Sequence, residues 1–288
     1  MQTAGLFEQI RKALPGMSKS HKKIANYIID HSEKTAYLTA TKLGECVGTS
    51  ESTVVRFAIE LGFSGYPEFQ TELRKSLRSK LTAVQRIDVA DTMMGEKNIL
   101  QKVMSSDIGN LKASLANLDE KAFEEAVDAI CSAKNIYIIG KRSSYMLADF
   151  MNHYFSYIFD NVHLVSSNST SELFEEIFRI SKDDVLIAIS YPRYSKRTRT
   201  AAEFSKKKGA TVIALTDGDM APITEFADVK LFAISDMASF VDSLVAPLSI
   251  INALIVAIGR KNRITIENTF NELEKIWDEY DVYEAARS

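Results

Sequence analysis

Three short stretches of the sequence gather side chains suited to polar recognition. In Ser190-Tyr191-Pro192-Arg193-Tyr194-Ser195-Lys196-Arg197-Thr198, hydroxyl donors stand among three cationic groups. Such a set suits a phosphate, because guanidinium and hydroxyl groups together supply several charge-assisted hydrogen bonds. Gly140-Lys141-Arg142-Ser143-Ser144 runs into a helix expected to begin near Tyr145. Its glycine allows a tight turn, and its serine hydroxyls and the N–H groups of the helix start can hold an anion. The third stretch, Ser50-Glu51-Ser52-Thr53 followed by Arg56, carries groups that read base edges. In the first turns of a helix lying in the major groove, Ser or Thr bonds either base edge and Arg grips guanine in bidentate fashion. Glu51 would have to accept from a cytosine amino group or point away.

The third stretch needs a helix-turn-helix to present it, and Thr39 to Phe63 has that pattern. Thr39 is suited to cap a first helix with Leu43 and Val47 on one side, and Gly48 permits the positive φ that ends it. Ser50 then caps a second helix whose Val54, Phe57, Ala58 and Leu61 form a buried stripe. A helical hairpin that docks another protein would show the same stripe. Charge favours DNA: the net −3 of the 288 residues averages over +4 on residues 1–80 and −7 on the rest. Lys42, with Lys19, Lys22, Lys23, Arg74, Lys75, Arg78 and Lys80, are the candidate phosphate contacts.

The two anion-binding stretches need strands to carry them. After a mixed segment at residues 81–97, where the charge balance changes sign, comes a helical stretch near Ile99 to Leu118. Short β-branched runs follow at Asn135–Ile139, Val162–Val165, Val185–Ser190, Thr211–Leu215 and Val229–Ile234, separated by segments of mostly helical pattern. The expected fold is an all-α N-terminal domain over 1–80, a linker over 81–97, and an α/β domain over 98–288. The latter is a doubly wound, five-stranded parallel sheet of order 2-1-3-4-5. In that order the loops after the first and third strands are neighbours at the switch point, where such sheets bind ligands.

Cys46 and Cys131 stand far apart with no CxxC and only four scattered histidines, so neither a disulfide framework, a metal site nor a bound cofactor is expected. The apolar run Leu244 to Ile258 is too short for a membrane span and holds Pro247, Ser249 and Asn252. The N-terminal residues reach charge before any apolar run, and a reducing cytoplasm is the expected setting.

Ser50, Thr53, Val54, Arg56, Phe57, Leu61, Gly62, Phe63 and Gly65 resemble the N-terminal domain of RpiR-type transcriptional regulators. Ser190, Pro192, Arg193, Ser195 and Thr198, with Ser143 and Ser144, resemble the phosphosugar loops of the sugar isomerase (SIS) domain that follows it in that family. Pro192 and Arg193 depart from the Ser and Gly more usual in the isomerase enzymes. The resemblance implies a regulator that is not an enzyme, with a double-stranded DNA operator and a phosphorylated sugar effector as partners. Glu172 lies where some SIS isomerases place a catalytic glutamate; it could instead contact a sugar hydroxyl or serve as a helix-end charge, and both are favoured over the base. A sugar-phosphate isomerase with an appended helical domain is the second reading. A homodimer or homotetramer is expected, through the apolar helices around Asn98 to Leu118 and Leu244 to Ile258.

Overall fold

The computed structural model describes residues 6–78, 82–87, 97–237 and 239–284. They fall into two compact units, one of residues up to Val103 together with Met237–Asp242, the other of Met104–Asp236 and the chain from Ser243 onward.

The first unit is helical: α1 (Leu6–Ala13), α2 (Lys19–Asp30), α3 (Ser32–Thr35), α4 (Ala40–Val47), α5 (Glu51–Glu60), α6 (Tyr66–Arg78) and a short α7 over 83–87. Its core joins Ile10, Ile24, Ile28, Leu43, Val54, Phe57, Phe69 and Leu73. Side chains fix the helix ends as the sequence implies. The Thr39 hydroxyl accepts from the Lys42 N–H, the Ser50 hydroxyl accepts from the Thr53 N–H, and Gly48 ends α4 at φ 70°. Three side chains of α6 hold the turn before α4. Tyr66 Oη and Gln70 Nε2 both donate to the Leu38 carbonyl, at 2.8 and 2.6 Å, and Arg74 Nε donates to that of Ala36 at 2.9 Å. Burial pushes the Tyr66 phenol up to about 12, against the opposing charge of Arg74, so it stays protonated and donating at neutral pH.

In the second unit five parallel strands, β1 (Ile136–Gly140), β2 (Val162–Val165), β3 (Val185–Ile189), β4 (Thr211–Thr216) and β5 (Val229–Phe232), form one sheet of order β2-β1-β3-β4-β5. This is the expected order, with strand ends within a residue or two of those expected. Alternate residues divide between two faces. Ile136, Ile138, Ile187, Ile189, Ile213 and Leu215 pack under α9 (Glu120–Ser132), α10 (Ser143–Phe155) and α13 (Val245–Lys261). Tyr137, Ile139, Leu186, Ala188, Val212 and Ala214 pack under α11 (Thr170–Ile177) and α12 (Lys196–Lys207). The helix α8 (Ile99–Ala116) precedes this set and α14 (Arg263–Glu279) ends it. One crossover departs from the expected helical pattern: β4 and β5 are joined by a loop holding a single 3-10 turn, Thr224–Phe226. Only a dozen residues separate these strands, about the least a parallel crossover uses, and here the connection is made without a helix.

Asp184, one residue before β3, ties the amino ends of the strands together. Its carboxylate accepts from Asn135 Nδ2 at 2.7 Å and from the N–H and hydroxyl of Ser181 at 2.7 and 2.8 Å. Burial alone would raise its pKa, but the hydrogen bonds from Asn135 and Ser181 prevail and hold it below the usual carboxylate value. A depressed folded-state pKa stabilises the fold above the unfolded value near pH 4, and that contribution is lost as pH falls through the folded value. Asp184→Ala should therefore cost about 2 kcal/mol at neutral pH, with the difference from the parent shrinking below about pH 4 in denaturant titrations.

Candidate functional site

The exposed face of α5 carries Glu51, Ser52, Arg56 and Ile59, opposite the buried Val54, Phe57 and Ala58. Of the expected base-reading residues, Ser50 is the most committed internally. Its hydroxyl caps α5 and lies 2.9 Å from Ser52 Oγ and 2.8 Å from Thr53 Oγ1, so the three hydroxyls form one linked cluster at the helix start. Arg56 folds Nε back onto the Ser52 carbonyl at 3.3 Å, which holds the guanidinium along the same face and leaves its terminal nitrogens to reach outward. Lys42 lies in the first turn of α4 and is exposed. Arg74 is corrected: it is partly buried, its guanidinium 5.2 Å from the Tyr37 ring centroid and its Nε bonded to Ala36, so it is an internal brace rather than a phosphate contact. The side chains of Lys75 and Arg78, and Lys80 as a whole, lie outside the described residues.

In the second unit β1 and β3 run in register, Gly140 opposite Ile189, so their following loops leave the sheet side by side. α10 begins at Ser143, two residues earlier than expected, which puts Ser143 and the buried Ser144 in its first turn rather than in a loop. Gly140 permits this. A Cβ there would lie 2.7 Å from the carbonyl carbon of Ser144 and closer still to its oxygen. Arg142, between them, sits at φ 58°, ψ −128°, a conformation that favours glycine and costs a longer residue about 1–3 kcal/mol.

After β3 the Ser190 hydroxyl, itself buried, accepts from the Ser195 N–H at 3.4 Å, and Ser195 caps α12 by accepting from Thr198 N. Arg193, Lys196 and Arg197 are exposed around this turn. Thr198 is fully buried, yet its hydroxyl has no hydrogen-bond partner among the described residues. Buried hydroxyls are nearly always paired. This one stands in the first turn of α12, where backbone N–H groups and the helix dipole favour an anion. Glu172 is exposed in the first turn of α11, and its N–H caps onto Ser169. The expected phosphate residues thus divide between the starts of α10 and α12, and Glu172 follows β2.

Sequence reasoning missed the residues that hold these loops. Lys141 is buried, and its ammonium donates to the carbonyls of Val165 at 3.1 Å and Ser167 at 2.5 Å, so it bridges the ends of β1 and β2 instead of offering a free charge. Desolvation lowers its pKa; Glu176 opposes the shift and Arg197 adds to it. Glu176 accepts from the Ser167 N–H at 3.1 Å. Tyr194 Oη donates to Asp217 at 2.9 Å, and Thr216 Oγ1 donates to the Ser190 carbonyl at 2.6 Å, which fixes the β3 loop to the end of β4. Among the described residues no group of His, Cys, Asp and Glu is placed to hold a metal, and no helix is long and apolar enough to cross a membrane.

Family models match both units: the rpiR-family helix-turn-helix domain over residues 4–80 and the SIS domain over 129–257. The chain is a helix-turn-helix transcriptional regulator with a SIS domain. It belongs to the RpiR family. An uncharacterized HTH-type transcriptional regulator of Haemophilus influenzae is 27% identical over 80% of each chain. The HTH-type transcriptional regulator HexR of Escherichia coli is 29% identical over 73% of this chain and 72% of its own. The fold is shared with the Vibrio vulnificus NanR protein, solved in complex with ManNAc-6P, at a TM-score of 0.59 and 20% identity over 96% of this chain and 98% of that one. The sugar isomerase domain of an RpiR transcription factor from Sphaerobacter thermophilus has a TM-score of 0.59 and is 25% identical, covering 62% of this chain and 99% of that one.

The orphaned hydroxyl of Thr198 gives a direct test of whether this turn is built for stability. Thr198→Val replaces it with a methyl group of the same shape, so thermal unfolding of the free protein should show unchanged stability or a gain of up to about 1–2 kcal/mol. A loss of that size would mean that the hydroxyl has an internal partner.

Proposed function

We propose that the chain reads a double-stranded DNA operator through α5 and senses a phosphorylated sugar at the carboxyl ends of β1 and β3, so that carbohydrate supply controls genes of carbohydrate metabolism. Residues 1–80 are the reader, 81–97 the connection and 98–288 the sensor, working in the cytoplasm. The observation that carries the sensing half is the buried, unpartnered Thr198 hydroxyl at the start of α12, beside Ser190, Ser195 and Arg193. Ser143 and Ser144 open the neighbouring helix, and together these groups offer a phosphate the donors of two helix starts. Glu172 takes a sugar hydroxyl. Ser50, Ser52, Thr53 and Arg56 read base edges, with Lys42 on a phosphate.

The reader is paired by self-association. α8 turns Asn110 and Ser114 inward, bonded to the backbone of Asp236 and Ile234, while its Leu100, Met104, Ile108 and Leu115, and Leu118 just beyond it, remain exposed. A helix that buries two polar residues and leaves large apolar side chains exposed suits a second copy in a homodimer or homotetramer, which would read a palindromic operator. An isomerase would need Glu172 as its base, and the relatives named as regulators favour sensing over turnover.

Two experiments test the halves separately. Arg56→Ala should weaken binding to the operator by about 5- to 150-fold more than binding to random DNA, measured at one salt concentration; equal losses on both would remove Arg56 from base reading. Thermal shifts against a panel of sugar phosphates, ManNAc-6P among them, should single out an effector that changes operator affinity. Ser190→Ala with Ser195→Ala should abolish that shift while operator affinity without effector stays unchanged.

A further inference from the structure

A carboxylate stands on the base-reading face. Glu51, the first residue of α5, is exposed beside Ser52 and five residues before Arg56. Its Oε2 accepts the hydroxyl of Thr41, from the first turn of α4, at 2.7 Å. The carboxylate is therefore held by the other helix of the motif, and Oε1 has no hydrogen-bond partner among the described residues. A negative group carried towards DNA meets phosphate repulsion and loses water, which lowers affinity unless a donor answers it.

We propose that Glu51 selects cytosine at one position of the bound DNA, with Thr41 as the residue that positions its carboxylate. This rests on the reading of α5 as the DNA-reading helix. With Thr41 occupying one oxygen, the group is an acceptor only, and the major groove offers it two donors, the cytosine N4 and adenine N6 amino groups. Adenine sets its N7 lone pair beside the amino group, facing the carboxylate with an acceptor. Guanine presents O6 and N7, and thymine presents O4, all of which repel it. Cytosine alone offers the donor without a competing acceptor. Glu51 thus works as much by rejecting three bases as by binding the fourth.

The test is selection of bound duplexes from a randomised pool by the full chain, followed by sequencing. The parent should prefer cytosine about ten-fold over other bases at one position of its motif, repeated by symmetry if the motif is a palindrome. Glu51→Gln supplies both a donor and an acceptor, the pair that matches adenine N6 and N7, so the preference at that position should move to adenine while every other position is kept. Thr41→Val should reduce the cytosine preference several-fold and Thr41→Ser should restore it, whereas the salt dependence of binding stays the same in all variants. Identical motifs from the parent and Glu51→Gln overturn the proposal. A parent protein that enriches no motif at all overturns the DNA reading itself, and this inference with it.

Discussion

The first turn of α10 rests against the bare Cα of Gly140, and the carboxyl end of the sheet depends on that contact. A helix that starts this close to the strand it follows points its free N–H groups across the strand end rather than past it. β3, in register with β1, opens into α12 by a turn whose two serines cap and brace one another. Lys141 and Tyr194 then fix the flanks, the first by reaching the carbonyls after β2, the second by reaching Asp217 after β4. Four strand ends are thereby held in one arrangement, which would lower the ordering cost of the binding proposed above. The strained backbone of Arg142 and the orphaned hydroxyl of Thr198 are both unfavourable for stability alone, and both stand at this edge.

Much of the architecture was legible in the sequence because it obeys short-range rules. Strand faces follow alternation, so Ile136 and Ile138 part from Tyr137 and Ile139 without any knowledge of partners. Thr39, Gly48 and Ser50 mark helix ends by capping chemistry that acts within three residues. The strand order also came out as expected, and with it the adjacency of the loops after β1 and β3.

What the sequence concealed are contacts between residues far apart in the chain, which leave no periodic trace. Lys141 stands in a turn whose glycine and serines drew the reading, and its own partners lie 24 and 26 residues away. Arg74 reads as one of a basic cluster but stacks on Tyr37. Thr41 and Glu51 lie ten residues apart on different helices, and only the fold shows that they meet. The β4 to β5 connection departs for a different reason: it is at the short end for a parallel crossover, and it holds one 3-10 turn in place of a helix.

The bonds from Tyr66, Gln70 and Arg74 to the turn before α4 have a mechanical consequence. α6 is fastened along its length to the segment that sets the start of the reading motif, and Phe69 and Leu73 bind it into the same core as Phe57 of α5. A load on α6 would therefore be shared with α4 and α5 through these bonds and this core. On the proposed function, such a load would leave the exposed face of α5 in shape and change only the angle and spacing at which it is offered to DNA.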